Sequence, residues 1–328
     1  MDVAGAARLL ASGELVAFPT ETVYGLGADA ANASAVGKIF ALKKRPANHP
    51  VIVHVAGMDG LREWGRDVPG AAHELAQRFW PGPLTIIVKR ASRVPLIVTG
   101  GQDSVGLRCP SHPIAQDLLS EFARVGSGAI AAPSANRFGH VSPTTAAHVR
   151  DEFGSSLPIL DGGPCEVGLE STIVDLTRGA PVLLRPGAIT RARLADALGE
   201  PIRGRDEGAP RASGTLAAHY APLTTLTLVS PRRLDSDVHV LRNVAVLALR
   251  EASVDSKAMY WLVASDDPAR YAHDLYANLR RLDDTGAKQI LVEMPPPTPE
   301  WEAVNDRLAR AAAGFCASRN ARTSESAR

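Results

Sequence analysis

The run Leu15-Val16-Ala17-Phe18 has the length and composition of a buried strand, and it empties into residues 19–27, Pro-Thr-Glu-Thr-Val-Tyr-Gly-Leu-Gly. This junction constrains the chain more than any other stretch. Polar residues at the end of a buried strand, followed by two glycines, either close a plain turn or feed a site. In extended chain Thr20, Thr22 and Tyr24 project to one side and Glu21 and Val23 to the other. Gly25 and Gly27 admit backbone shapes and close approaches that a side chain would block.

Short apolar runs alternate with helical patterns on both sides of this junction. A helix over 3–12 has Val3, Ala6, Ala7 and Leu10 on one face. The next, capped by Asn32 or Ser34, has Val36, Ile39 and Phe40 on its apolar face. The following position of that stripe is Lys43; Arg45 follows, and Pro46 ends the helix. Such cations either complement the helix dipole or are aimed into a cleft. Strands are predicted over 51–55, 84–89, 104–108, 130–132, 159–161, 170–175 and 182–185. Helices are predicted over 71–79, 112–122, 145–153 (capped by Ser142 or Thr144) and from the Thr190 cap to Leu198.

Residues 199–215 are polar and rich in Gly, Pro and Arg, as in a linker or mobile loop. The alternation then restarts, with strands over 226–229, 244–249, 259–263 and 289–293 and helices over 268–282 and 300–315. The expected organisation is α/β throughout: a catalytic domain over 1–203, a lid or linker over 204–222, a smaller α/β domain over 223–317, and a disordered tail over 318–328.

A chain of 328 residues that is 45% hydrophobic and 22% charged reads as globular and long enough for two domains. Its net charge of +1 gives no bulk basicity for nucleic acid. Three scattered cysteines form neither a disulfide framework nor a zinc pattern, which suggests a reducing compartment. The start has no signal-peptide pattern, and no apolar run approaches the roughly 20 residues of a membrane helix. A cytoplasmic protein is expected.

Phosphate-binding loops, dinucleotide fingerprints, zinc-protease motifs and nucleophile elbows are all missing. What remains is a set of cations and short polar groups: Lys43, Arg45, His54, Arg108 and Arg185, with Ser104, Ser134, Asn136, Ser142 and Ser171. Each has a plain structural explanation by itself. Together they fit a polyanion beside a small polar molecule rather than hydrolysis by a protein nucleophile. Phosphoryl or nucleotidyl transfer needs mainly positioning and charge neutralisation.

Several motifs in order carry a resemblance. They are residues 19–27, Lys43-x-Arg45-Pro46, Pro50-Val-Ile-Val-His54-Val, Trp80-Pro-Gly-Pro-Leu-Thr85, Pro133-Ser-Ala-Asn136, Ser142-Pro-Thr-Thr, Glu170-Ser-Thr-Ile-Val-Asp175 and Leu184-Arg-Pro-Gly187. The chain resembles the YrdC family over roughly 5–202. With His219-Tyr-Ala-Pro222 and the second α/β unit, it is similar to the long, two-domain, Sua-type threonylcarbamoyl-AMP synthases. The resemblance implies a YrdC-like twisted, open, mixed sheet with helices around a basic cleft, plus a Rossmann-like C-terminal domain. It implies that L-threonine, bicarbonate and ATP, with Mg2+, give threonylcarbamoyl-adenylate and pyrophosphate. The product then goes to a tRNA threonylcarbamoyl-transferase complex, which modifies the adenosine beside the anticodon.

The site residues implied by the resemblance follow its motifs. Lys43 and Arg45 bind ATP phosphates, with Ser134 and Asn136 beside the reacting groups. Thr22, His54, Arg108, Ser134 and Ser171 form the threonine pocket, with Arg108 on the carboxylate. Ser104, Asn136, Ser142, Arg185 and Tyr220 contact the nucleotide. His49 stands where the family commonly has Asn, and its imidazole can still donate a hydrogen bond to ATP. Ala212-Ser213-Gly214-Thr215 departs from the family's linker pattern. No protein ligand to the metal is implied. Two alternatives compete: an RNA-binding protein using the Lys43-Lys44-Arg45 run, and a carbamoyl-adenylating enzyme of the hydrogenase-maturation type.

Overall fold

Asp2 accepts the Gly5 amide and starts α1 (Val3–Ala11), after which β1 (Val16–Phe18) pairs antiparallel with β2 (Gly25–Asp29), Ala17 opposite Leu26. The computed structural model describes the backbone of residues 1–325 and the side chains of 1–314. The chain divides into two units: Met1–Phe138 with Pro143–Thr215, and Gly139–Ser142 with the chain from Leu216 onward. The boundary at 215/216 falls inside the stretch read as a linker. The sequence carries no sign that 139–142 joins the second unit.

The first unit continues through α2 (Ala33–Lys43), β3 (Ile52–Val55), α3 (Asp59–Trp64), β4 (Gly65–Arg66) and α4 (Gly70–Phe79). It goes on through β5 (Leu84–Arg90), α5 (Leu96–Thr99), β6 (Ser104–Arg108), α6 (Pro113–Val125) and β7 (Ala129–Ala132). It ends with α7 (Ala146–Phe153), β8 (Thr172–Asp175), β9 (Val182–Arg185) and α8 (Arg191–Leu198). The strand order is β1-β2-β7-β3-β6-β5-β8-β9, with β4 attached to β5. The β3–β6 and β5–β8 pairs are parallel and the others antiparallel, so the sheet is mixed.

Alternation along each strand sorts the side chains between two faces. Val53, Val55, Leu107, Ile86 and Val88 pack with apolar residues of α2, α3, α4 and α8 into the main core. The opposite face is covered in two places. At the β1–β7 end, α1 and α6 bury Phe18, Ile130 and Ala132. Towards the β9 end, over β3, β5, β8 and β9, Ala209 and Ala212 pack on Ile52, Ile87, Ile173 and Leu184. His54, Gly106 and Arg108 lie on this second face, in β3 and β6.

The expected strand over 159–161 is a single bridge, Ile159 to Ala17. Pro158 has no N–H to extend a ladder, and Gly162-Gly163-Pro164 turns the chain away. The cap of α7 is Thr145, not Ser142 or Thr144; its hydroxyl accepts the His148 amide. Residues 20–23 are a turn rather than extended chain: the Thr20 hydroxyl donates to the Val23 carbonyl at 2.7 Å and accepts the Val23 amide.

The second unit has β10 (Thr225–Val229), α9 (Pro231–Val240), β11 (Val244–Ala248), β12 (Tyr260–Val263), α10 (Pro268–Asp283), β13 (Gln289–Glu293) and α11 (Glu302–Glu325). Its strands form an all-parallel sheet in the order β10-β13-β11-β12. The piece 139–142 is tied in by Ala221 N–H on the Gly139 carbonyl and by Arg280 on the Val141 carbonyl. Helix α11 runs into the stretch read as a disordered tail, as its Ala- and Arg-rich composition favours; 326–328 lie outside the described residues. Among the described residues, no helix is long and apolar enough to cross a membrane.

Candidate functional site

Residues 19–27 fasten two clusters of polar side chains together. On one side stands an ion pair, Arg108 Nη2 to Glu21 Oε1 at 2.8 Å, with Arg108 4% and Glu21 2% exposed. Arg108 is next to His54 in the β3–β6 register, and its Nη2 lies 3.5 Å from the Thr20 hydroxyl. Thr20 Oγ1 in turn is 2.9 Å from Thr22 Oγ1. Among the described residues, three buried atoms here, Glu21 Oε1, Arg108 Nε and His54 Nδ1, have no hydrogen-bond partner. Burial, and then the neighbouring Arg108, push the His54 imidazole down to about 3, so it is neutral at any physiological pH.

On the other side Gly25 bridges to Ser134, and the Tyr24 carbonyl accepts the Ala135 amide at 2.8 Å. Below that loop the Lys43 ammonium, 2% exposed, donates to the carbonyls of Ser134 and Asn136. Burial, and then Arg45, hold its affinity for a proton well below that of an ordinary lysine. Buried Arg45 donates to the Pro50 carbonyl at 2.9 Å and lies 5.8 Å from the Phe138 ring. His49 meets Phe138 edge-on, its imidazole pushed down by burial and then by Arg45 and Arg211. The run Lys43-Lys44-Arg45 is therefore no solvent-facing basic patch, since only Lys44 is exposed. That removes the feature on which the RNA-binding alternative stood.

A third group lines a small cleft over β3, β6, β5 and β8, which includes Ile52, Thr85, Ser104, Gly106, Arg211 and Ser213. Arg185 clamps it: Nε and Nη2 donate to the Ser171 carbonyl, and Nη1 donates to the Ser213 carbonyl at 2.9 Å. Ser171 Oγ is 2.7 Å from Thr85 Oγ1. Arg211 exchanges hydrogen bonds with Gln102 and donates to the Gly100 carbonyl. In the divergent segment at 212–215, Ser213 contributes its carbonyl, which is indifferent to side-chain identity, while Ala212 packs on the sheet.

Gly187 is required by close approach here. A Cβ at this position would stand 2.5 Å from the Thr172 nitrogen and 2.8 Å from the Glu170 carbonyl oxygen. Both are backbone atoms beside Ser171 and cannot swing aside. Gly187→Ala is expected to cost roughly 1–3 kcal/mol of stability and to displace Ser171; a thermal melt paired with a turnover assay checks both effects.

Ser142 and Tyr220 belong to the second unit. Ser142 is fully buried. Tyr220 holds φ at +61°, stacks on Tyr276 at 5.8 Å and lies under the Arg307 guanidinium. A left-handed tyrosine is a strained residue kept in place by its packing. Sequence reasoning missed the Glu21–Arg108 pairing and the parts played by Gln102, Phe138 and Arg211. Among the described residues, no group of three His, Cys, Asp or Glu could hold a metal ion.

A mixed sheet that packs its main core on one face and sets buried His54 and Arg108 on the other defines an α/β protein with a polar site in its interior. Residues 8–187 match the family described as "Telomere recombination", and residues 189–313 match "Threonylcarbamoyl-AMP synthase, C-terminal domain". The chain is 38% identical to the threonylcarbamoyl-AMP synthase of Pyrococcus abyssi, over 94% of this chain and 93% of that protein. It is 39% identical to the Bacillus subtilis threonylcarbamoyl-AMP synthase, over 95% and 93%. A crystal structure of P. abyssi Sua5 complexed with L-threonine superposes with a TM-score of 0.86 at 37% identity, covering 95% of this chain and 94% of that one. The chain belongs to the threonylcarbamoyl-AMP synthase family, in its two-domain form.

Proposed function

We infer that this protein is a nucleotidyltransferase that converts L-threonine, bicarbonate and ATP into threonylcarbamoyl-adenylate and pyrophosphate. One observation carries the reading. Residues 19–27 join a buried arginine pocket, suited to a carboxylate, to a buried lysine and arginine, suited to phosphates.

The chemistry follows from that arrangement. Threonine's amine gives up a proton and combines with bicarbonate, releasing water and leaving a carbamate. A carbamate oxygen attacks the α-phosphorus of ATP; the new O–P bond forms as the bond to the β-phosphate oxygen breaks, and pyrophosphate leaves with the electron pair. No protein nucleophile is needed.

In this reading Arg108 holds the threonine carboxylate, with Thr22, neutral His54, Ser134 and Ser171 around it. Lys43 and Arg45 offset phosphate charge next to Asn136 and His49. Ser104 and Arg185 serve the nucleotide. Mg2+ arrives on the triphosphate, as part of the substrate. A cytoplasmic tRNA threonylcarbamoyl-transferase is the proposed consumer of the product.

The test is pyrophosphate release from ATP, with threonine and bicarbonate each omitted in turn. Release is expected only with all three present. Release that ignores threonine defeats the reading; turnover of carbamoyl phosphate in place of threonine supports the carbamoyl-adenylating alternative.

A further inference from the structure

Glu21 is buried, charged and placed against Arg108, and the reaction as written gives it nothing to do. It is fixed from three directions. One carboxylate oxygen pairs with Arg108 Nη2 at 2.8 Å, the other accepts the Ser111 amide at 3.1 Å, and its own carbonyl accepts the Val167 amide at 2.7 Å. The arginine side chain is 5% exposed and the glutamate side chain 2%.

We propose that Glu21 is a positioning and selectivity residue, which makes the Arg108 pocket choose a zwitterionic amino acid over a simple carboxylate. The proposal rests on the threonine reading above. A lone buried guanidinium would attract any carboxylate of suitable size. With Glu21 beside it the pair is electrically neutral, and its carboxylate stands 2.8 Å from Nη2 as an ion pair without hydrogen-bond geometry. Among the described residues the Nε of Arg108 has no hydrogen-bond partner, and it is the part of the fork left for a ligand.

A carboxylate that docks there leaves the pocket with one uncompensated negative charge in a dry environment. An α-ammonium on the same ligand cancels it; a hydroxy acid without an amine cannot. Nearby His54 does not help, because its imidazole stays neutral. Glu21 also holds Arg108 at a set angle, so the docked carboxylate orients the amine.

Calorimetric titration with L-threonine and with 3-hydroxybutyrate, the same skeleton without the amine, tests this on the full chain. The wild type is expected to prefer threonine by more than about tenfold. Glu21→Gln keeps the size and the acceptor for Ser111 but removes the charge. It is expected to shrink that preference at least about tenfold, and to raise the KM for threonine while kcat falls less than about threefold. Glu21→Asp keeps the charge and should keep the preference, even with both ligands bound more weakly.

Equal loss of both ligands in Glu21→Gln, or identical behaviour of the Gln and Asp variants, would mark Glu21 as a structural prop and overturn the proposal. A wild type that binds both ligands alike overturns it without any variant. A wild type that binds no threonine brings down the pocket reading as well, a result distinct from binding with unchanged selectivity.

Discussion

Lys43→Met lowers pyrophosphate release by about 10²–10³-fold, the usual effect of removing one preorganised charge from the reacting site, while the melting temperature moves by only a few degrees. The two halves of this expectation have separate causes. The Lys43 ammonium is buried with carbonyls as its partners, and burial followed by Arg45 holds its proton affinity down; Glu152 only partly offsets them. Such a cation is poorly compensated until an anion arrives, so much of its value is realised only when phosphates are bound.

Methionine fills similar space without charge. The carbonyls of Ser134 and Asn136 lose a donor, at about 1 kcal/mol each, and the relief of a desolvated charge offsets part of this. The checks are a pyrophosphate assay and a thermal melt on the same preparation. Turnover at the wild-type rate takes Lys43 out of the reaction. Loss of the folded state would mean that the lysine's main task is to hold the 133–136 loop.

How far these features could be read from sequence depends on how local their cause is. Ser104, Gly106 and Arg108 alternate with Val105 and Leu107, and a period of two places them together on the non-core face of β6 without further help. Lys43 continues the buried stripe of α2, and it is buried as that stripe implies. Strand β2 was not legible: Gly-Leu-Gly-Ala-Asp has little strand character of its own and is extended because β1 and β7 flank it. Helices α3 and α5 are too short to show a period. The Glu21–Arg108 pair joins residues in different parts of the chain, and no local pattern announces a partner that only the sheet brings close. Residues 139–142 are a stronger case, since their membership of the second unit is decided by hydrogen bonds to Ala221 and Arg280.

Acid is expected to destabilise the protein through His54 before it protonates most carboxylates. His54 is 3% exposed, and its imidazole is pushed down to about 3 in the folded chain, by burial first and then by Arg108. Unfolded, it returns to about 6.5. Between those values the unfolded chain binds the proton and the folded chain does not, so stability is complete above about pH 6.5 and falls as the pH drops. At about 1.4 kcal/mol per pH unit, this group alone removes about 2 kcal/mol by pH 5. For a domain of this size that is a fall of roughly 4–8 °C in melting temperature.

Other groups titrate over the same range, so the discriminating quantity is a difference of slopes. His54→Gln has no imidazole to protonate. Its melting temperature should fall less than that of the wild type between pH 7.5 and 5, by about the same 4–8 °C, whatever its stability at neutral pH. Parallel pH profiles for the two chains would show that His54 takes up its proton in the folded state. The neutral hydrogen-bonding imidazole assigned to the threonine pocket would then be wrong.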